Sequence, residues 1–367
     1  MYGLYIHIPF CVSKCHYCDF YSLAGRQGLM QSYTDALLLE AQRYKGEPFN
    51  TIYIGGGTPS LLGADGLQKL MAGLGGIFQL GELEEATIEA NPDSAGGDFF
   101  RAAKATGFTR LSIGVQSLND EELKKAGRAH NSGQALIAIR SAFECGFDDV
   151  SADIMIGLPG QTPDSLRNTL HKVLKEGVTH VSAYCLSVEE GTPFADNPPA
   201  DLPGDDDEAG LYDLARETLK REGFIHYEIS NFALPGRQCR HNLNYWHGGD
   251  YLGLGPAAAS HINGRRLKNE PNLDKYVEAP LRIAVEEEEL DSAGKIGEEA
   301  MLRLRLLEEG LDINEMAEKF GEAEITALAG KLESMASLGT LERQGSRYRL
   351  PYDRVLTSNS ILVDIVG

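Results

Sequence analysis

The sequence predicts an α/β fold: a partial (β/α)6 TIM-like barrel with a small, mostly helical, winged-helix-like C-terminal domain. From residue 1 to about 190, short β-rich runs alternate with longer helical patterns, as in a parallel sheet with right-handed crossovers. Six such units are too few for a complete eight-stranded barrel, so the barrel is expected to be open. The unusual residues each follow the C-terminal end of a candidate strand, the rim on which parallel β/α folds build their sites.

The first strand, Leu4–Ile8, ends at Pro9 and hands the chain to a loop holding Cys11, Cys15 and Cys18 in CVSKCHYC. Three closely spaced thiols in a chain with no secretory signal argue for metal or iron–sulfur ligation rather than disulfides. A mononuclear zinc would need a fourth ligand, which His7, His16 or Asp19 could supply. An iron–sulfur cluster on three cysteines would keep one iron open for a small molecule. Spacing leaves both open and favours the cluster. The dispersed Cys145, Cys185 and Cys239 read as buried free thiols.

After a helix near 31–45, the strand Thr51–Ile54 runs into GGGTP at 55–59. Glycines there let backbone approach a ligand closely, although such a turn is often only a turn, and no Gly-Lys-Ser/Thr follows to make a phosphate loop. Beyond a helix at 65–77, the strand Ala86–Ala90 leads into EANPD. There Glu89 sits among apolar neighbours and needs a hydrogen-bonding reason. Helix 97–106 and strand Arg110–Val115 precede Gln116 and Ser117; helix 132–145 and strand Val150–Ile156 precede GLPGQ at 157–161. Helix 163–175 and strand His180–Leu186 complete the six units. Each rim polar group has a plain alternative as the cap of a neighbouring helix.

Residues 187–210 read as an exposed loop, and DDDE as the acidic entrance of a helix at about 206–222. The next stretch holds His226, His241, His247, His261 and the sole tryptophan, Trp246. His241, beside Tyr245 and Trp246, could offer an imidazole to haem iron while the rings pack on a porphyrin face. Composition alone prefers a hydrogen-bonded histidine in an aromatic corner. GLGPAAASH reads as another glycine-rich turn near the barrel mouth, with no metal assigned to it. From about Lys295 the pattern is helices, a short hairpin and a last helix or strand. The expected divisions are 1–225, 226–294 and 295–367.

Across its 367 residues the chain carries a formal charge of −20, which repels phosphate backbones and argues against nucleic acid as the main partner. Within 295–367 there are 9 Lys+Arg against 13 Asp+Glu, so a DNA-binding winged helix is not expected. A substrate lid or docking surface fits better. No basic n-region opens the chain, and no run approaches the roughly 20 apolar residues of a membrane span. The expectation is a reduced, cytoplasmic compartment, with membrane association only through a partner.

CVSKCHYC has the CxxxCxxC form of the radical S-adenosylmethionine (radical SAM) superfamily. Its flanks, YIHIPFC and CDFY, resemble the branch containing oxygen-independent coproporphyrinogen III oxidase and HemW-type haem chaperones. HNLNYW at 241–246 matches the HNxxYW motif of the latter, and YEISNFA and GLGPAAASH are similar to the same branch. The resemblance implies the partial barrel and a [4Fe–4S] cluster on Cys11, Cys15 and Cys18. It also implies S-adenosylmethionine contacts from Gly56, Gly57, Thr58, Glu89, Gln116, Arg128 in GRAH and Asp153 in SADIMIG, with Tyr5 beside the adenine. It reverses the composition-based reading of His241 in favour of haem ligation, several histidines competing for the second axial place. The implied function is delivery of haem to an acceptor, a membrane-bound respiratory protein, with a homodimer as a further expectation. The alternative is the oxidase, which decarboxylates tetrapyrrole propionates. Two departures weigh against it: Phe20 stands where the oxidase motif has a fourth cysteine, and the first strand begins near Met1, where the oxidase has an N-terminal arm.

Overall fold

The computed structural model describes residues 2–282 and 285–366. Six parallel strands form its spine: β1 (Tyr2–Ile8), β2 (Thr51–Gly56), β3 (Glu85–Ala90), β4 (Arg110–Gln116), β5 (Val150–Ile156) and β6 (His180–Cys185). Between successive strands run α1 (Met30–Ala41), α2 (Gly63–Gly75), α3 (Gly97–Ala105), α4 (Ser132–Glu144) and α5 (Pro163–Lys175); α6 (Asp205–Arg221) follows β6. Their starts are chemically marked. Asn131 and Gln134 form a capping box on α4, Thr162 and Ser165 one on α5, and α6 opens on four acidic residues.

The strands alternate with their polar side facing inward. Leu4, Ile6, Ile8, Ile52, Ile54, Leu111 and Ile113 join one buried apolar cluster with Leu67 and Leu70 of α2, Phe100 of α3 and Leu166 of α5. The intervening positions meet each other inside the barrel: the Tyr53 hydroxyl donates to Glu89 at 2.8 Å and the Ser112 hydroxyl to Asp153 at 2.9 Å. Period-2 alternation thus sends aliphatic side chains out to the helices and leaves a polar lumen.

Further strands cover both edges. β7 (Ile225–Glu228) and β8 (Asn231–Ala233) continue from β6, and α7 (Arg240–Trp246) crosses back under the barrel. β9 (Asp250–Leu254) then pairs parallel with β1, followed by β10 (Ala259–Ile262), β11 (Arg265–Asn269) and β12 (Val285–Glu289). The sheet order is β12-β11-β10-β9-β1-β2-β3-β4-β5-β6-β8-β7. GLGPAAASH is therefore a strand–turn–strand unit rather than a turn alone. An uncovered β1 would leave a row of unpaired N–H and C=O groups, and β9 satisfies them. Glycine is needed at 253, where a Cβ would stand 2.0 Å from the Ala259 carbonyl oxygen.

The C-terminal part comprises α8 (Ser292–Leu304), β13 (Leu311–Asp312), α9 (Ile313–Phe320), α10 (Thr326–Ser337), β14 (Glu342–Gln344), β15 (Arg347–Arg349) and α11 (Ser358–Val366). β13, β15 and β14 form a small sheet in that order, and the last element is a helix. Its apolar residues, among them Leu304, Leu332 and Leu362, are continuous with the barrel's cluster. Among the described residues no helix is long and apolar enough to cross a membrane.

Candidate functional site

The cysteine loop is held at both ends. Phe10–Cys11 pairs in parallel with Leu23–Ala24, and the Leu23 N–H donates to the Pro9 carbonyl at 2.9 Å. Midway, the His16 N–H donates to the Ala126 carbonyl at 3.0 Å. Cys11, Cys15 and Cys18 are free thiols lining one cavity of about 380 Å³, with Gly56, Gly57, Glu89, Gln116, Arg128 and Asp153. Burial pushes the Cys18 thiol up to about 11. Among the described residues no three of His, Cys, Asp and Glu form a site for a single ion. His7, one proposed zinc ligand, has its ring nitrogens engaged by the Tyr5 hydroxyl at 3.0 Å and the Tyr21 carbonyl at 2.7 Å.

The GGGTP turn makes the cavity's second wall. Gly56 has φ +109°, and a Cβ on Gly57 would lie 2.6 Å from the Phe10 carbonyl oxygen and 3.1 Å from the Cys11 sulfur. Side chains are thus excluded where the turn meets the cysteine loop. Thr58 lies buried behind it, its hydroxyl 3.5 Å from the Cys11 sulfur and accepting from Asn91 Nδ2 at 3.0 Å.

The polar groups around the cavity are under-satisfied. Glu89 accepts from Tyr53 and from the Gly56 N–H at 3.2 Å, yet burial and the neighbouring charge of Asp153 push its carboxyl up to about 7. Burial raises Asp153 as well. Gln116 holds a left-handed backbone with φ 63°, and its Oε1 is buried without a partner. Arg128 donates to the Gly114 carbonyl at 2.9 Å and Asn91 Oδ1 at 3.0 Å and reaches the Cys15 sulfur at 3.4 Å, but its Nε has no partner. Orphaned buried acceptors and donors beside a glycine cradle are the mark of a site that a polar ligand completes.

Asn91, Tyr53, Ser112 and Tyr184 also line this cavity and were not singled out from the sequence. Asn91 lay inside EANPD, and the inward phase of strand alternation would have marked Tyr53 and Ser112.

Tyr5 is placed elsewhere. It faces a second, larger cavity of about 880 Å³, which adjoins the first at Asp19 and Phe20 and is bounded by Tyr245, Trp246, His261 and residues of the C-terminal part. His241 faces neither cavity. It is buried, with Nδ1 2.8 Å from Thr51 Oγ1, Nε2 2.8 Å from the Tyr245 hydroxyl and its ring stacked on Tyr53. Burial lowers its pKa to about 3. With both nitrogens occupied, the imidazole offers no lone pair to an outside iron. The hydrogen-bonded histidine that composition favoured is the arrangement found, because α7 docks on the N-terminal ends of the strands, away from the rim.

Residues 5–173 match the model of the radical SAM superfamily. The heme chaperone HemW of Mycobacterium tuberculosis is 35% identical over 100% of this chain and 95% of its own length. That of Bacillus subtilis is 33% identical over 100% of both, and that of Lactococcus lactis 36% identical over 82% of this chain and 80% of its own length. The solved structure of coproporphyrinogen III oxidase (HemN) from Escherichia coli superposes with a TM-score of 0.87 over 100% of this chain and 90% of that one, at 24% identity; this is a likeness of fold.

Proposed function

This chain belongs to the HemW family of the radical SAM superfamily, and from that premise we propose that it binds a [4Fe–4S] cluster, S-adenosylmethionine and haem and passes haem to an acceptor protein. Cys11, Cys15 and Cys18 supply the thiolates. A cluster held there supplies one-electron chemistry and an open iron for an amino acid group. Gly56 and Gly57 give backbone access to the methionine part, while Glu89, Gln116 and Asp153 suit ribose hydroxyls. Arg128, a fixed cation beside Cys15, suits the cofactor's carboxylate. Thr58 acts from behind, steadying Cys11 and Asn91.

The observation that carries the reading is the pairing of two cavities across Asp19 and Phe20, one suited to the cofactor and one large enough for a tetrapyrrole. Phe20 is 63% exposed at their junction, where a fourth cysteine would have placed a thiol. A Soret band on titrating anaerobically reconstituted protein with haem is expected; its absence overturns the haem reading. Sustained conversion of coproporphyrinogen III with reductant and cofactor would restore the oxidase alternative. The proposed acceptor is a membrane-bound respiratory protein, checked by following haem from loaded chaperone to purified apo-acceptor. Sedimentation of cluster-loaded protein checks the proposed homodimer.

A further inference from the structure

We propose that the haem lies in the larger cavity with His261, not His241, as its protein iron ligand, and with Lys268 and Lys295 receiving its propionates. This placement rests on the haem reading above and assigns it a site.

The β10–β11 hairpin forms one wall. Cross-strand partners share a face, and the register pairs Ala259 with Lys268 and His261 with Arg266. All four line the cavity, whereas the alternate pair Ser260 and Leu267 does not. The hairpin therefore presents a histidine, two cations and one small residue on a single flat surface. Trp246 and Phe320 close the slot from other elements, and the Trp246 indole N–H is buried with no partner. A volume of about 880 Å³ falls near the top of the roughly 300–1,000 Å³ usual for ligand clefts. Lys295 reaches the hairpin tip at Gly264 and Lys268 lies at the other end of β11, so the cations flank His261, and a broad, planar, mostly apolar ligand carrying anionic groups fits these walls.

Elimination points to the iron ligand. Of the histidines, His7 and His261 line this cavity. Both His7 nitrogens are engaged, as are those of His241 and of His180. His247 is bound to Glu309 at 2.7 Å and does not line the cavity. The His261 ring makes no hydrogen bond among the described residues; its Nδ1 lies 3.7 Å from Asp250 Oδ1. A carboxylate on that side favours the tautomer whose Nε2 lone pair is free, and strengthens it as a metal ligand.

The cations are similarly available. Arg266 is tied to Glu288 and Glu298. Lys268 has no ion pair among the described residues, and Lys295 only Glu289 at 3.7 Å. In a chain of net charge −20, two such ammonium groups beside an aromatic slot select for carboxylates.

The test is titration of reconstituted protein with haem, metal-free protoporphyrin and haem dimethyl ester. His261→Ala is expected to shift the Soret band and weaken haem binding roughly tenfold or more, leaving metal-free protoporphyrin unaffected. His261→Gln, closer in size, gives the same result if alanine disturbs the hairpin. The Lys268→Gln/Lys295→Gln double variant is expected to weaken haem and protoporphyrin roughly tenfold but not the dimethyl ester. A Soret band and affinity unchanged in both His261 variants would overturn the ligand assignment, and equal weakening of acid and ester that of the lysines. Absence of any band in the wild-type protein would instead overturn the underlying haem reading.

Discussion

The two ends of the barrel lumen are built on the same inward faces of the same strands, yet they differ in how completely their polar groups are paired. At the N-terminal end, the Glu85 carboxylate accepts the N–H groups of Arg240 at 2.9 Å and His241 at 3.0 Å. Thr51 and Tyr245 take both His241 nitrogens, and Arg110 pairs with Asp149 at 2.7 Å and with the Arg237 carbonyl at 3.1 Å. At the C-terminal end, Gln116 and Arg128 keep buried atoms without partners, and Glu89 and Asp153 crowd their charges together. A network paired throughout except for the Thr87 hydroxyl is a plug that holds the fold; one that leaves an amide oxygen and a guanidinium N–H unpaired is a site that a polar ligand completes.

The largest expected effect falls at the rim. Cys11→Ala, Cys15→Ala or Cys18→Ala should each abolish the visible absorption of the reconstituted cluster while urea unfolding of the apo-protein changes little. Zinc in place of iron on analysis of oxygen-free material would break the rim assignment outright. Next comes the plug. His241→Ala leaves Thr51 and Tyr245 unpaired and opens a void, and should lower apo-protein stability by about 3 kcal/mol in urea titration. The same variant should keep its Soret band; a lost band on an undisturbed fold would return His241 to the role of ligand and erase the contrast.

A smaller effect separates the ends by affinity. Gln116→Ala should weaken S-adenosylmethionine binding roughly tenfold, measured by calorimetry on cluster-loaded protein, with little change in unfolding. Acid and base should sharpen the comparison further. The folded His241 is held below its ordinary 6.5, at about 3, so its contribution is present above pH 6.5 and is lost as pH falls towards 3. Glu89 is raised from 4.5 to about 7, so its relative contribution is complete below pH 4.5 and is lost as pH rises through 7. His241→Gln should flatten the acid limb of apo-protein stability and Glu89→Gln the neutral limb. Identical pH profiles in either variant and the wild type would show that the group concerned is not buried as described.

Much of this was legible in the chain. The six strands and their intervening helices follow from local periodicity, and the cysteine loop, GGGTP and Glu89 stood out as residues that a plain strand end does not need. The polar lumen was present as the alternate phase of each strand, although Tyr53 and Ser112 look unremarkable until their neighbours across the barrel are known. The resemblance implied a place beside the adenine for Tyr5, whereas the structure puts it in the wall of the second cavity, since alternation gives a face and not which space lies beyond it.

Composition and spacing determined the order of the first six strand–helix units, the cysteine loop and the rim, because each depends on residues within a few positions of one another. Tertiary structure alone decided that HNLNYW belongs to the plug, that β9 completes the edge of β1, and that His261 faces open space. Those outcomes turn on partners far apart in the chain, such as Thr51 and His241, 190 residues apart. A histidine becomes a strut or a ligand according to whether both its nitrogens find partners when the chain closes on itself.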